Sequence, residues 1–305
     1  MKPRLVISGG SGLLAVNWAI QMRDLWEVHL LLHHRKIVIP GVACHNVDIS
    51  TPVTAGRIID RLAPDLVINS VGLTNVDRCQ KDQDLATQCN VTVAVNMALA
   101  AKATGSKFVH ISTDHLFDGT KPLRSETDQP SPVNHYGMTK WQAENAVVET
   151  LAESLIIRTN FFGWGPSYRL SFSDWILLTL ENGQPINLFT DAYYTPVYMP
   201  NLIEAVHRLF AAGQSGVFNI VGGERLSKYQ FGKRLCRVFC CDESLIRPTS
   251  LSEMSNLVPR PLDMSLSNDK LLSTNIIEMP DLSTMLESLA AGRPIADLLA
   301  GIGDK

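Results

Sequence analysis

Leu5-Val6-Ile7-Ser8-Gly9-Gly10-Ser11-Gly12-Leu13-Leu14-Ala15 decides the reading of this chain. Its first four residues read as a short buried strand, and residues 13–23 read as a helix. Between them stands the spacing Gly9-x-x-Gly12-x-x-Ala15. Glycine lets the backbone turn tightly and lets a diphosphate approach the main-chain amides. The helix that follows turns its free N–H groups and positive dipole end toward such an anion. Ala15 replaces the usual third glycine and still permits close helix–strand packing. A strand before the turn and a helix after it separate this pattern from an ordinary glycine-rich loop. Gly9, Ser11, Gly12, Leu13 and Leu14 are the expected phosphate-side residues.

The same rhythm continues outward. Residues 28–32, 42–47, 66–69, 107–112 and 154–158 read as further strands, and residues 85–103 as a long Ala-rich helix. Short continuous apolar strands alternating with helices indicate a parallel sheet covered on both faces. The fold class is therefore α/β, a Rossmann-type doubly wound parallel sheet. After Asn160 strands become sparser. Pro200 opens one helix, over residues 201–211, and Ser227 with Gln230 forms a capping-box pattern ahead of another, over residues 231–239. The expected division is 1–160 for a nucleotide-binding domain and 161–305 for a smaller substrate-binding lobe, with some crossing of the chain between them.

The chain has 305 residues, 45% of them hydrophobic and 19% charged, and a net charge of −3. A sizeable core is available. Lys and Arg are scattered, which argues against a nucleic-acid-binding protein. No apolar run approaches the ~18 residues of a membrane span, and the apolar stretch near Met1 is too short for a signal peptide. Six cysteines form no C-x-x-C pair, and no His cluster has zinc-finger spacing. No metal is expected, and reduced thiols fit a cytoplasmic location.

The end of the second strand bears on cofactor choice. An NAD site usually carries Asp or Glu there for the ribose hydroxyls. This chain has His33-His34-Arg35-Lys36, with no acid between Glu27 and Asp48. A basic group such as Arg35 suits the 2′-phosphate of NADP through charge-assisted bonds; a solvated basic loop is the other reading. Asp48 and Ile49 are expected near the adenine, or in a plain turn.

The chemistry points to Tyr136-Gly137-Met138-Thr139-Lys140. Four residues apart on a helix, Tyr136 and Lys140 share a face. An ammonium so placed is expected to lower the phenol's pKa and to bond a cofactor ribose, while the phenol passes a proton to a carbonyl oxygen. Alone this spacing is common. It gains weight from Ser112-Thr113-Asp114 after the fifth strand, where Thr113 can donate to the same oxygen.

Together with Asp65-Leu66-Val67-Ile68-Asn69, Val76-Asp77, the run from Ile111 through Asp118-Gly119, Asp191-x-x-x-Thr195-Pro196 and Gly216-Val217-Phe218-Asn219-Ile220, these motifs resemble the dTDP-4-dehydrorhamnose reductase group of extended short-chain dehydrogenases. The resemblance runs to Arg260-Pro261 and covers nearly the whole chain. It implies Thr113, Tyr136 and Lys140 as catalytic residues, with Asn90 in support. It also implies NADPH or NADH held by the first domain, to whose binding set Ser70, Val71 and Gly72 are added along with Tyr136 and Lys140. The expected reaction is NADPH-dependent reduction of a nucleotide-linked 4-keto-6-deoxy sugar, and the oligomer left open is a homodimer. Departures are Ala15, His115 in place of a common Tyr, and the missing Gly before Thr195-Pro196. A 4,6-dehydratase needs Thr-Asp-Glu where this chain has Thr113-Asp114-His115. An epimerase of the same fold and a non-catalytic NADP-binding regulatory subunit, like the beta subunit of methionine adenosyltransferase, are the alternatives. Arg158, Arg169, Arg225 and Arg260 are candidates for a diphosphate clamp, and Trp164, Tyr168, Phe172, Tyr193 and Tyr194 for stacking on a base or sugar.

Overall fold

Strand β1 (Arg4–Ser8) is an interior strand of a seven-stranded sheet whose interior strands are apolar runs buried on both faces and whose edge strands are only partly buried; six other strands flank it. They are β2 (Glu27–Leu32), β3 (Ala43–Asn46), β4 (Leu66–Asn69), β5 (Lys107–Ile111), β6 (Leu155–Arg158) and the strand Gly216–Asn219. In space the order is Gly216–Asn219, β6, β5, β4, β1, β2, β3, and every pairing is parallel. The computed structural model describes residues 1–254, 257–292, 299, 301 and 302.

Successive side chains of each strand go to opposite layers. Leu5, Ile7, Leu30 and Ile68 pack with Trp18, Leu202 and Val206. Those partners come from helix α1 (Leu13–Met22) and the later helix Met199–Ala211. Val6, Leu31, Val67, Phe108 and Ile156 pack on the other face with Ile58, Ile59, Met97 and Val147. These belong to α2 (Pro52–Leu62), α5 (Val93–Thr104) and α6 (His135–Thr150), the chain passing through α3 (Val76–Lys81) and α4 (Gln83–Thr87) on the way. Strand order reverses between β1 and β4, which opens a crevice at their carboxyl ends.

Two local expectations change. The helix expected over residues 85–103 is divided: α4 ends at Thr87, and Gln88–Thr92 forms a wide π turn before α5. The extra residue in that turn brings Asn90 to the interior, fully buried; such turns recur at functional sites. The helix expected over residues 231–239 begins earlier, as Lys228–Val238, directly after its N-cap Ser227. Both reciprocal bonds of the Ser227–Gln230 capping box are present, and they fix that start. Pro200 lies in the first turn of Met199–Ala211.

The later chain also returns to the sheet, since Gly216–Asn219 pairs with β6. Elsewhere it forms small two-stranded units, such as Ile186–Phe189 against Ile246–Thr249. No helix among the described residues is long and apolar enough to cross a membrane.

Candidate active site

A cleft of about 510 Å³ lies over the carboxyl ends of β1, β4 and β5. Its floor is the glycine turn. Gly9 adopts φ +75, and a Cβ there would come within 3.0 Å of the Val71 amide nitrogen. The Gly12 amide closes the turn on the Gly9 carbonyl at 2.7 Å. Gly10 is packed more tightly still, because a Cβ on it would sit 2.7 Å from that of Leu30. Helix α1 then starts from Gly12 with no side-chain cap and no acid in its first turn. Its first N–H groups therefore keep their capacity for an anion, and Leu13 and Leu14 line the cleft. These features fit a dinucleotide diphosphate. Ser70, Val71 and Gly72 form the facing wall, with the Ser70 hydroxyl anchored on the Ser8 carbonyl at 2.6 Å.

Over this turn passes the segment 166–170. The Tyr168 hydroxyl donates to the Ser11 carbonyl at 3.2 Å, and the Arg35 guanidinium lies 4.2 Å from the Tyr168 ring centre. Arg35 itself is not among the residues that line the cleft. Asp48 is exposed and accepts from the Ser50 amide at 2.8 Å, while Ile49 is buried among α2 and α5. Neither is among the residues that line the cleft.

Asn134 caps α6, its side chain accepting from the Gly137 amide at 2.9 Å. This sets Tyr136 and Lys140 in the first turns of the helix, both facing the cleft, with Thr113 on the same wall. Burial pushes the Tyr136 phenol up, against a hydrogen bond with Thr113 that pulls it down. The depressed phenol expected from Lys140 is not what results. The Lys140 ammonium is turned onto the Ile111 carbonyl at 2.6 Å, and burial dominates. Lys140 itself is brought down to about 8 by burial, with Glu144 acting the other way. Glu144 is held by Arg158 through bonds of 3.1, 3.2 and 2.8 Å.

Asn90 does not line the cleft. Its oxygen accepts from the Leu73 amide at 2.7 Å and its amide donates to Thr139 at 2.9 Å. It ties the loop after β4 to α6. His115 stands edge-on to Tyr136, ring centres 5.5 Å apart, and burial lowers its pKa. Asp114 beside it accepts from Asn160 at 2.6 Å.

Tertiary contacts also sort the clamp and stacking candidates. Arg158 is buried with Glu144, Arg225 is paired with Asp263 at 2.6 Å, and Arg260 with Asp77 at 2.7 Å. Arg169 alone of the four lines the cleft, where it reaches Thr74 at 3.4 Å. Of the five rings only Phe172 lines it. Tyr194 is buried beneath the Lys228 ammonium, 3.2 Å from its ring centre. Lys228 and Asn160 are site neighbours that the sequence reading missed, since no motif marks them. No group of three metal-binding side chains occurs among the described residues.

Residues 3–292 match the family model of the RmlD substrate binding domain. The chain belongs to this family. Among curated relatives, it is 30% identical to a probable low-salt glycan biosynthesis reductase of Haloferax volcanii over 84% of this chain and 86% of that one. It is 29% identical to a dTDP-4-dehydrorhamnose reductase of Burkholderia thailandensis over 90% and 95% of the two chains. In fold it resembles a dTDP-4-dehydrorhamnose reductase from Bacillus anthracis solved in complex with NADP, with a TM-score of 0.85 and 23% identity over 95% of this chain and 99% of that one.

Proposed function

We propose that this chain is a cytoplasmic, NADPH-dependent oxidoreductase that reduces a nucleotide-linked 4-keto-6-deoxy sugar to the 4-hydroxy product. The observation that carries the reading is the meeting of Thr113, Tyr136 and Lys140 with the uncapped start of α1 in one cleft. The named reductase relatives support the substrate class. Residues 1–160 hold the cofactor and 161–305 the sugar nucleotide.

Gly9, Ser11, Gly12, Leu13 and Leu14 bind the cofactor diphosphate through backbone amides and the dipole of α1. Ser70, Val71 and Gly72 frame the opposite side, Arg35 meets the 2′-phosphate, and Asp48 and Ile49 border the adenine. NADPH, when bound, supplies the hydride. Thr113 and Tyr136 both direct hydroxyls at the sugar carbonyl oxygen. Tyr136 gives its proton to that oxygen as charge develops there. A buried phenol with a raised pKa remains protonated at neutral pH and is ready to donate. Lys140 holds positive charge beside the phenolate that remains. Asn90 fixes the helix that carries both, through Thr139.

The test compares the nucleotide-linked keto sugar with the free sugar at matched concentrations, followed by nicotinamide absorbance. Binding energy from the nucleotide positions the reacting carbon, so its removal lowers turnover as well as affinity. Equal reduction of the free sugar, or of a simple ketone, refutes the sugar-nucleotide assignment.

A further inference from the structure

Beneath the cleft, three polar side chains lie in one row across the sheet. Register sets Ser8 beside Asn69 and Asn69 beside His110 on β1, β4 and β5. They occupy the face that otherwise carries Val6, Val67 and Phe108, and all three are buried. The Ser8 hydroxyl donates to Asn69 Oδ1 at 2.7 Å, and the Val71 amide, which can only donate, reaches the same oxygen at 3.4 Å. Both donors fix the orientation of the Asn69 amide. Its Nδ2 then donates to His110 Nδ1 at 3.0 Å. An imidazole that accepts at Nδ1 carries its proton on Nε2.

Nε2 of His110 lies 3.4 Å from Lys140 Nζ. An Nε2–H and an ammonium are both donors, so they form no hydrogen bond while Lys140 is charged. The lone pair of a neutral Lys140 amine accepts the Nε2–H instead. We propose that His110 is a positioning residue for Lys140: held as the Nε2–H tautomer by Asn69, it denies the ammonium an acceptor beyond the Ile111 carbonyl and makes release of the Lys140 proton to solvent the switch that ends reduction at high pH. The proposal rests on the reading that Lys140 serves Tyr136.

The other charged and titratable groups around Lys140 do not replace this control. Glu144, on α6, favours the ammonium, but its carboxylate is already engaged by Arg158 of β6. Tyr136 shares the helix and stays protonated through burial. Asp114 and His115, on the loop after β5, and Cys79, on α3, lie on the Tyr136 side. His110 is kept neutral by burial and by Lys140. Burial brings Lys140 down to about 8, with Glu144 acting the other way.

The test reads the protein without substrate. Nitrogen NMR of wild-type protein at neutral pH gives the His110 tautomer, and a titration with ¹³C-labelled lysine gives the Lys140 midpoint. The expected results are Nε2–H and a midpoint near 8. In His110→Gln the side-chain carbonyl gives the ammonium an acceptor, and the midpoint rises by roughly one unit or more. The alkaline limb of kcat/KM moves up with it. An Nδ1–H tautomer in the wild type, or an unchanged midpoint in folded His110→Gln, overturns the proposal. If that variant does not fold, the wild-type tautomer decides alone. Failure of every keto sugar to turn over counts against the functional reading and leaves these two measurements standing.

Discussion

Gly137→Ala tests whether the position of α6 sets the chemistry. Gly137 lies between Tyr136 and Lys140, where the helix presses on the loop carrying Thr113. A Cβ at this position would overlap the His115 carbonyl oxygen and sit 2.9 Å from Pro132 Cβ. Reaching an ordinary contact with Pro132 takes a shift of about half an ångström, and the His115 carbonyl requires more. Both obstacles are main chain or a rigid ring, so the first turn of α6 must move and carry the Tyr136 hydroxyl away from Thr113. Misplacement of a reacting group by about 1 Å costs on the order of 100-fold, which is about 2.7 kcal/mol in the barrier. Stability changes less. Overpacking costs about 1–3 kcal/mol, and the gain in helix propensity returns about 0.5–1 of it. Turnover with the keto sugar nucleotide, read beside thermal unfolding and cofactor titration, measures each part. The expected variant is folded, binds cofactor and is slowed about 100-fold. Gly56→Ala is the control, because nothing lies within 4 Å of an added Cβ there. A folded Gly137→Ala protein with wild-type turnover would refute the argument that this contact sets the catalytic geometry.

Three further outcomes follow from the same contacts. Tyr136→Phe keeps the ring and its packing but removes the proton donor, and turnover should fall by about 100- to 10,000-fold with folding and cofactor binding retained; near-normal turnover would remove Tyr136 from that role. Arg35→Ala should weaken NADPH more than NADH in a binding titration, since only the former has a 2′-phosphate, and equal weakening would dissociate Arg35 from it. His207 accepts from Trp18 Nε1 at 2.9 Å and is pushed down by burial to about 4. Below its ordinary value of 6.5 the unfolded chain takes up a proton that the folded one refuses, so stability should decline as pH falls from 6.5 toward about 4. Urea unfolding at neutral pH and near pH 5 should show a smaller decline in His207→Gln, which still offers Trp18 an acceptor; an identical decline removes His207 as a source.

The features readable from residue order are local ones. The glycine turn was legible because strand, turn and helix start occupy adjacent residues, and Gly9 and Gly12 answer to the backbone alone. The Tyr136–Lys140 face was legible because helical periodicity fixes it, and the Ser227–Gln230 box because a cap acts over three residues. Apolar runs on both faces announced a parallel sheet. Relations between distant segments come only with the packed fold. Arg158 and Arg169 look alike in sequence, yet burial gives one to Glu144 and leaves the other at the cleft. Asn90 required a π turn that no propensity signals, and its value lies in joining Leu73 to Thr139. The phenol's expected depression failed for a similar reason: spacing places Lys140 beside Tyr136, but only packing sets the desolvation that outweighs it. The row from Ser8 through Asn69 to His110 exists only in the register of three strands far apart in the chain, because hydrogen bonds between side chains follow distance in space.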